Sequence, residues 1–219
     1  RTLLKEYGAS NLKDLIERMN ISIVAVELER KADTIYRFKE KEALKGYLRD
    51  KGLSEVEANK VADLILHERN LTKEISNIRR ARAGRTSEYI LIKTLRSCGI
   101  PCERGRRKIQ GYRPDVVVPD NRTLQLSPHR AIAIAVKRTL RERWAEDIDV
   151  FKFPHGKFVL LTPDPDFNEG KAQDMINRGM KEVYIPDELY DNSPFIKKYP
   201  QFKNFSSLPI EIKEFLREF

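Results

Sequence analysis

Apolar residues recur at helical spacing through the first hundred positions, then gather into short continuous runs after Pro101. In "SNLKDLIERM", Leu12, Leu15, Ile16 and Met19 share one face behind a possible cap at Ser10, the stripe of an amphipathic helix. "ISIVAVELE" is apolar and β-branched and reads either as a short strand or as a buried helix, which periodicity alone does not separate. Lys39 to Asp50 reads as a charged amphipathic helix ended by Gly52. "LSEVEANKVADLILHE" reads as another, capped at Ser54, with Val56, Val61, Leu64 and Ile65 at helical spacing. "RRARAGR", residues 79–85, reads as a basic hinge, and a further helix runs from Thr86 to Cys98 until Gly99 and Pro101 close it.

Beyond Pro101 the pattern favours strands. "KIQGY" is short and strand-like, and the three valines of "RPDVVVPD" form a strand between two prolines. "AIAIAVK" is an unbroken apolar run ending in a lysine, the kind of strand buried on both faces in an α/β sheet. Residues 138–149 are predicted as a helix, with Leu140, Trp144 and Ile148 at four-residue steps. "KFVLLTP" is the next buried strand, "KAQDMINRGM" a helix, "KEVYIP" the last strand and "LPIEIKEFLREF" a closing helix. This order predicts an α/β core, a central mixed sheet flanked by helices, over residues 86–219, with a mostly helical N-terminal subdomain over residues 1–85.

Composition narrows the partners. With 40% hydrophobic residues the 219-residue chain can bury a core, and its 34% charged residues exceed the ~25% average. A formal net charge of +9 points to a polyanion, either nucleic acid or an anionic membrane surface. No apolar run approaches the ~18 residues of a membrane span and no signal-peptide pattern is present, so a soluble nucleic-acid partner is favoured. The two cysteines, Cys98 and Cys102, make no disulfide framework and fit a reducing compartment. No second Cys/His pair stands near them, and His67, His129 and His155 are scattered, so they read as ordinary thiols. Plentiful Lys, Arg and Glu beside few Gln and Met tilt toward a thermophile.

Three charged residues sit where a buried sheet would pay to keep them. Asp115 begins the valine strand, Lys137 ends the next strand, and Glu88 lies on the edge of the apolar face of its helix. If Asp115 and Lys137 reach the same sheet edge, the carboxylate can hold Mg²⁺ and the ammonium can orient water beside a phosphate. Each also has a plain structural reading: a turn aspartate, a lysine snorkelling to solvent, a first-turn glutamate favoured by the helix dipole. Desolvation makes the edge of a buried sheet a poor place for charges kept for stability alone.

"RPD" on one strand and "AIAVK" on the next, after a helix with an early glutamate, resemble the PD-(D/E)XK nucleases. The resemblance implies a restriction-endonuclease-like core, metal ligation by Asp115 and a second acid, and assistance to the attacking water by Lys137. Ala135 stands where that superfamily has an acid two before the lysine. "VKRTLRERW" is in turn similar to the EcoRII, SsoII and PspGI group of type II restriction endonucleases, which takes its acid from the following helix. Counted along that helix, the group's position falls on Val150, and the nearest acid at a similar azimuth is Glu146. Glu88 and Glu146 are thus both candidates for the second metal ligand.

The same resemblance implies an enzyme of the prokaryotic cytoplasm, a homodimer that cuts double-stranded DNA with Mg²⁺ at a short palindrome or pseudo-palindrome such as CC(A/T)GG. Arg141, Glu142 and Arg143 are of the right types for its base readout, since Arg bonds guanine bidentately and Glu accepts from cytosine. Arg82, Arg85, Arg106 and Arg107 are candidate backbone contacts. Tyr36, Arg37 and Phe38 are candidates for flipping a central base, or else core aromatics. The helical subdomain would contribute DNA contacts or dimerisation. Two other readings share part of this pattern: a structure-directed nuclease would need Asp115 and Lys137 but not the Arg-Glu-Arg spacing, and a non-catalytic DNA-binding protein would need only the basic charge.

Overall fold

The computed structural model describes residues 2–67, 73–140 and 144–219. The chain opens with α1 (Thr2–Glu6), α2 (Leu12–Met19), α3 (Ile21–Asp50), α4 (Glu55–His67) and α5 (Lys73–Ser97). The apolar stretch "ISIVAVELE" is the start of α3, where Ile21, Val24, Ala25 and Glu29 are buried. Asn11, not Ser10, caps α2, accepting from the Asp14 N–H, while Ser10 donates back to the Asp14 carboxylate. Ser54 does cap α4: its hydroxyl oxygen accepts from the Glu57 N–H and the Glu57 carboxylate accepts from the Ser54 N–H, a reciprocal pair that satisfies two helix-end donors. Residues 79–85 are helical. They continue α5, because Arg and Ala are strong helix formers and the single Gly84 costs only about 1 kcal/mol.

Six strands follow: β1 (Glu103–Arg104), β2 (Val116–Val118), β3 (Ile132–Lys137), β4 (Gly156–Leu160), β5 (Val183–Ile185) and β6 (Phe202–Asn204). Between and after them come α6 (Asn121–Leu126), α7 (Glu169–Asn177), α8 (Asp187–Asp191) and α9 (Leu208–Arg217). The sheet is mixed, in the order β1-β2-β3-β4-β5-β6. β1, β2 and β3 pair antiparallel, and β3 to β6 run parallel. "KIQGY" is a tight turn rather than a strand: Ile109 bridges Tyr112 across Gln110 and Gly111, both at positive φ. Among the described residues, the predicted helix at residues 138–149 is not found either. Residues 138–140 are irregular, and a 3₁₀ helix runs from Trp144 to Lys152. β6 makes "KEVYIP" the penultimate strand.

The chain divides into two compact units, residues 1–29 with 84–219 and residues 30–83, so the first 29 residues pack with the sheet-bearing unit instead of following a boundary at residue 85. In that unit two apolar layers enclose the sheet. On one face α3, α5 and α9 pack Ile21, Leu91, Leu95 and Ile212 against Val116, Ile132, Ile134 and Val136. On the other, Leu124, Val150, Phe153 and Met175 cover Val117, Ala133 and Ala135. β3 lies at the centre, buried through Val136 and emerging only at Lys137.

Candidate active site

Asp115 directly precedes β2. Its N–H donates to the carbonyl of Ile134, the residue opposite Val116, at 3.0 Å, and its Oδ2 accepts from the Val136 N–H at 2.8 Å. Val116 lies opposite Ile134, so in this antiparallel pair the start of β2 meets the end of β3. Side chains alternate along strands. Lys137 therefore shares the face of Ala135, whose apolar layer includes Val150. The Asp115 carboxylate lies near enough to feel the Lys137 charge, so the acid and the lysine meet at one end of the sheet.

A third group completes the cluster. Lys137 Nζ lies 2.8 Å from Oδ2 of Asp147, on the 3₁₀ helix. Asp147 is buried, as are Val150 and Phe153, three and six residues further on; this is the three-residue period of 3₁₀ geometry. The Tyr112 hydroxyl donates to Asp147 Oδ1 at 3.2 Å, while Oδ2 is buried and receives no aligned hydrogen bond. Glu88, buried on α5, takes a hydrogen bond from Arg104 Nε at Oε2, and Arg113 lies 3.8 Å from its Oε1.

Electrostatics bind these groups into one site. Burial pushes the Asp115 carboxyl up to about 6; the Glu88 and Asp147 charges push the same way, while the Val136 N–H and Lys137 pull against them. Burial likewise raises Asp147, opposed by Lys137 and Tyr112. Carboxylates held above their ordinary range at a sheet edge are poised to exchange a proton for a cation. Among the described residues no three metal-binding side chains form a ready cage. Mg²⁺ does not demand one, since it binds through one or two carboxylates and keeps water or phosphate oxygens for the rest. Asp115 and Asp147 offer two such carboxylates, the second ion-paired with Lys137 through Oδ2.

Of the predicted residues, the structure brings Asp115, Lys137 and Glu88 together. Glu146 is exposed, and its α-helical azimuth has no basis once the segment is 3₁₀. Asp147, Tyr112 and the Arg104 and Arg113 supports went unpredicted; Asp147 could have been found as the acid in step with Val150 and Phe153. Arg141, Glu142 and Arg143 lie outside the described residues, as does the side chain of Arg82 in α5. Arg85, Arg106 and Arg107 are exposed, the last two lining a cleft of about 320 Å³ with Asn121 and Arg122. Tyr36, Arg37 and Phe38 belong to the 30–83 unit and are exposed rather than core residues, with Arg37 paired to Asp33 at 2.9 Å.

Comparison with known proteins gives a consistent picture. The family described as EcoRII C terminal matches residues 38–201. The solved complex of restriction endonuclease PspGI with substrate DNA is similar at 28% identity and a TM-score of 0.66, covering 91% of this chain and 81% of that one. At that identity the chain is distinct from PspGI itself. Metal-depleted Ecl18kI in complex with uncleaved, modified DNA is 22% identical, also with a TM-score of 0.66, over 91% of this chain and 71% of that one, a likeness of fold. No curated protein sequence matches significantly.

Proposed function

The chain belongs to the EcoRII C-terminal family, and from that premise we propose that it is a type II restriction endonuclease, a Mg²⁺-dependent hydrolase of double-stranded DNA. The observation that carries this reading is the meeting of Asp115, Lys137 and Asp147 at one end of the sheet, where their charges act on one another. Asp115 and Asp147 would hold the ion, with Glu88 adding negative charge behind them; Asp147 takes the place expected of Glu146. Bound there, Mg²⁺ would supply Lewis acidity and a water of lowered pKa. Lys137 orients the attacking water and offsets the charge that grows on the phosphoryl oxygens. Tyr112 fixes the rotamer of Asp147 through its hydroxyl. The apolar layers below the cluster exclude solvent and keep these charges strong.

Specificity is assigned to Arg141, Glu142 and Arg143, which follow the catalytic strand and suit two adjacent C·G pairs, with CC(A/T)GG as the expected site. The exposed Tyr36, Arg37 and Phe38 are the candidates for displacing a central base. One active centre per chain and a two-fold site call for a homodimer. The test is digestion of plasmid DNA with Mg²⁺ and sequencing of the fragment ends, which reads activity, site and stagger together. Asp115→Ala and Lys137→Ala should abolish cutting while binding of the cut-site duplex persists; full cleavage by either variant refutes the assignment.

A further inference from the structure

Three irregular residues, Arg138 to Leu140, join the catalytic strand to Arg141. Irregular backbone is ordinarily the least fixed part of a fold, yet side chains from elsewhere in the fold hold this segment. The Thr162 hydroxyl donates to the Arg138 carbonyl, and Arg138 Nε lies 4.0 Å from Oε2 of the buried Glu29. The Leu140 N–H donates to Asp164 Oδ2, and the Leu140 carbonyl accepts from Lys171 Nζ at 3.2 Å. The Leu140 side chain is itself buried in the second apolar layer. Asp164 is 2% exposed, and its other oxygen accepts from the Asp166 N–H at 2.9 Å. Among the described residues no cation pairs with it. A carboxylate so placed is costly unless its backbone partners repay it, and its partners are the donor next to Arg141 and its own loop.

We infer that Asp164 is a specificity-positioning residue: it fixes the backbone of Leu140 immediately before Arg141, Glu142 and Arg143, with Lys171 and Thr162 supporting the same segment. The inference rests on the readout role proposed above. Bidentate contacts to base edges tolerate little displacement, so the groups behind them must be held by a second layer of hydrogen bonds. Asp164→Asn keeps the volume but leaves one acceptor for two N–H groups, so either Leu140 or Asp166 loses its partner.

The experiment measures binding by the full chain, with Ca²⁺ in place of Mg²⁺, to the cut-site duplex and to a duplex with one outer C·G pair exchanged. The ratio of the two affinities does not depend on the fraction of protein folded, so a merely structural role would leave it unmoved. Asp164→Asn should lower that ratio at least tenfold, as should Arg143→Ala. If Asp164→Asn loses its cooperative thermal transition, Lys171→Met serves instead, with a fall of at least threefold. A full ratio in the folded Asp164→Asn or in Lys171→Met, with Arg143→Ala impaired, overturns the inference and leaves the readout reading intact. A full ratio in Arg143→Ala overturns both.

Discussion

At the scale of single residues, the site works against the stability of the fold that holds it. Asp115 carries a folded-state pKa of about 6 against an ordinary 3.8. In the metal-free protein the folded state therefore keeps this proton where the unfolded chain has lost it. The stability that Asp115 contributes is fully present below about pH 4 and is lost as pH rises through 6. At about 1.4 kcal/mol per pKa unit, the loss is on the order of 3 kcal/mol. Asp115→Asn keeps an oxygen for the Val136 N–H and cannot ionise, so in chelator it should be more stable than the parent at pH 7, by about 1–3 kcal/mol, and equal to it at pH 4. Urea denaturation at the two pH values checks this, and a variant no more stable at pH 7 contradicts the electrostatic picture. Asp115 and Lys137 were legible in the sequence because a charge interrupting a β-branched run is conspicuous. Asp147 was not, because its place depends on a 3₁₀ period that begins after irregular residues, and counting α-helical turns from Lys137 selects Glu146 instead.

At the scale of elements, the strands and helices with long apolar patterns were readable, and short or context-dependent ones were not. β2 to β5 and α7 and α9 follow from valine runs and helical stripes. β1 is two residues long, and β6, Phe-Lys-Asn, carries no apolar run. α6 hides behind Asp120, which caps it but reads as the end of the valine strand. The 3₁₀ helix that bears Asp147 is docked through a close approach of two backbones. A Cβ added at Gly156 would stand 2.1 Å from the Val150 carbonyl oxygen, so only glycine fits where β4 passes beneath that helix. Gly156→Ala should push the helix off the sheet, cost about 3 kcal/mol in unfolding free energy, and reduce cleavage by moving Asp147 away from Lys137. Wild-type stability together with wild-type cleavage would show that this approach does not set the site.

At the scale of the whole molecule, on the function proposed above, the charge of +9 would govern encounter with DNA rather than choice of sequence. The exposed arginines at 106 and 107 are suited to phosphates. Arg107→Ala should lower the slope of log affinity against log salt by about 0.9 and leave the preference for the cut-site duplex unchanged; an altered preference with an unaltered slope would instead make it a base-reading residue. Net charge was the part of this scale open to a sequence reading. The division into units was not, since residues 1–29 join the sheet through contacts with partners distant along the chain. The antiparallel pairing of β2 with β3 has one more consequence. It brings Asp115 to Lys137 across a short return through α6, with Asp147 soon after along the chain, so little chain entropy is spent bringing them together. Such a centre is portable: a recombination event that moved this one cassette intact would carry the chemistry with it, while surrounding segments remained free to diverge and acquire new targets.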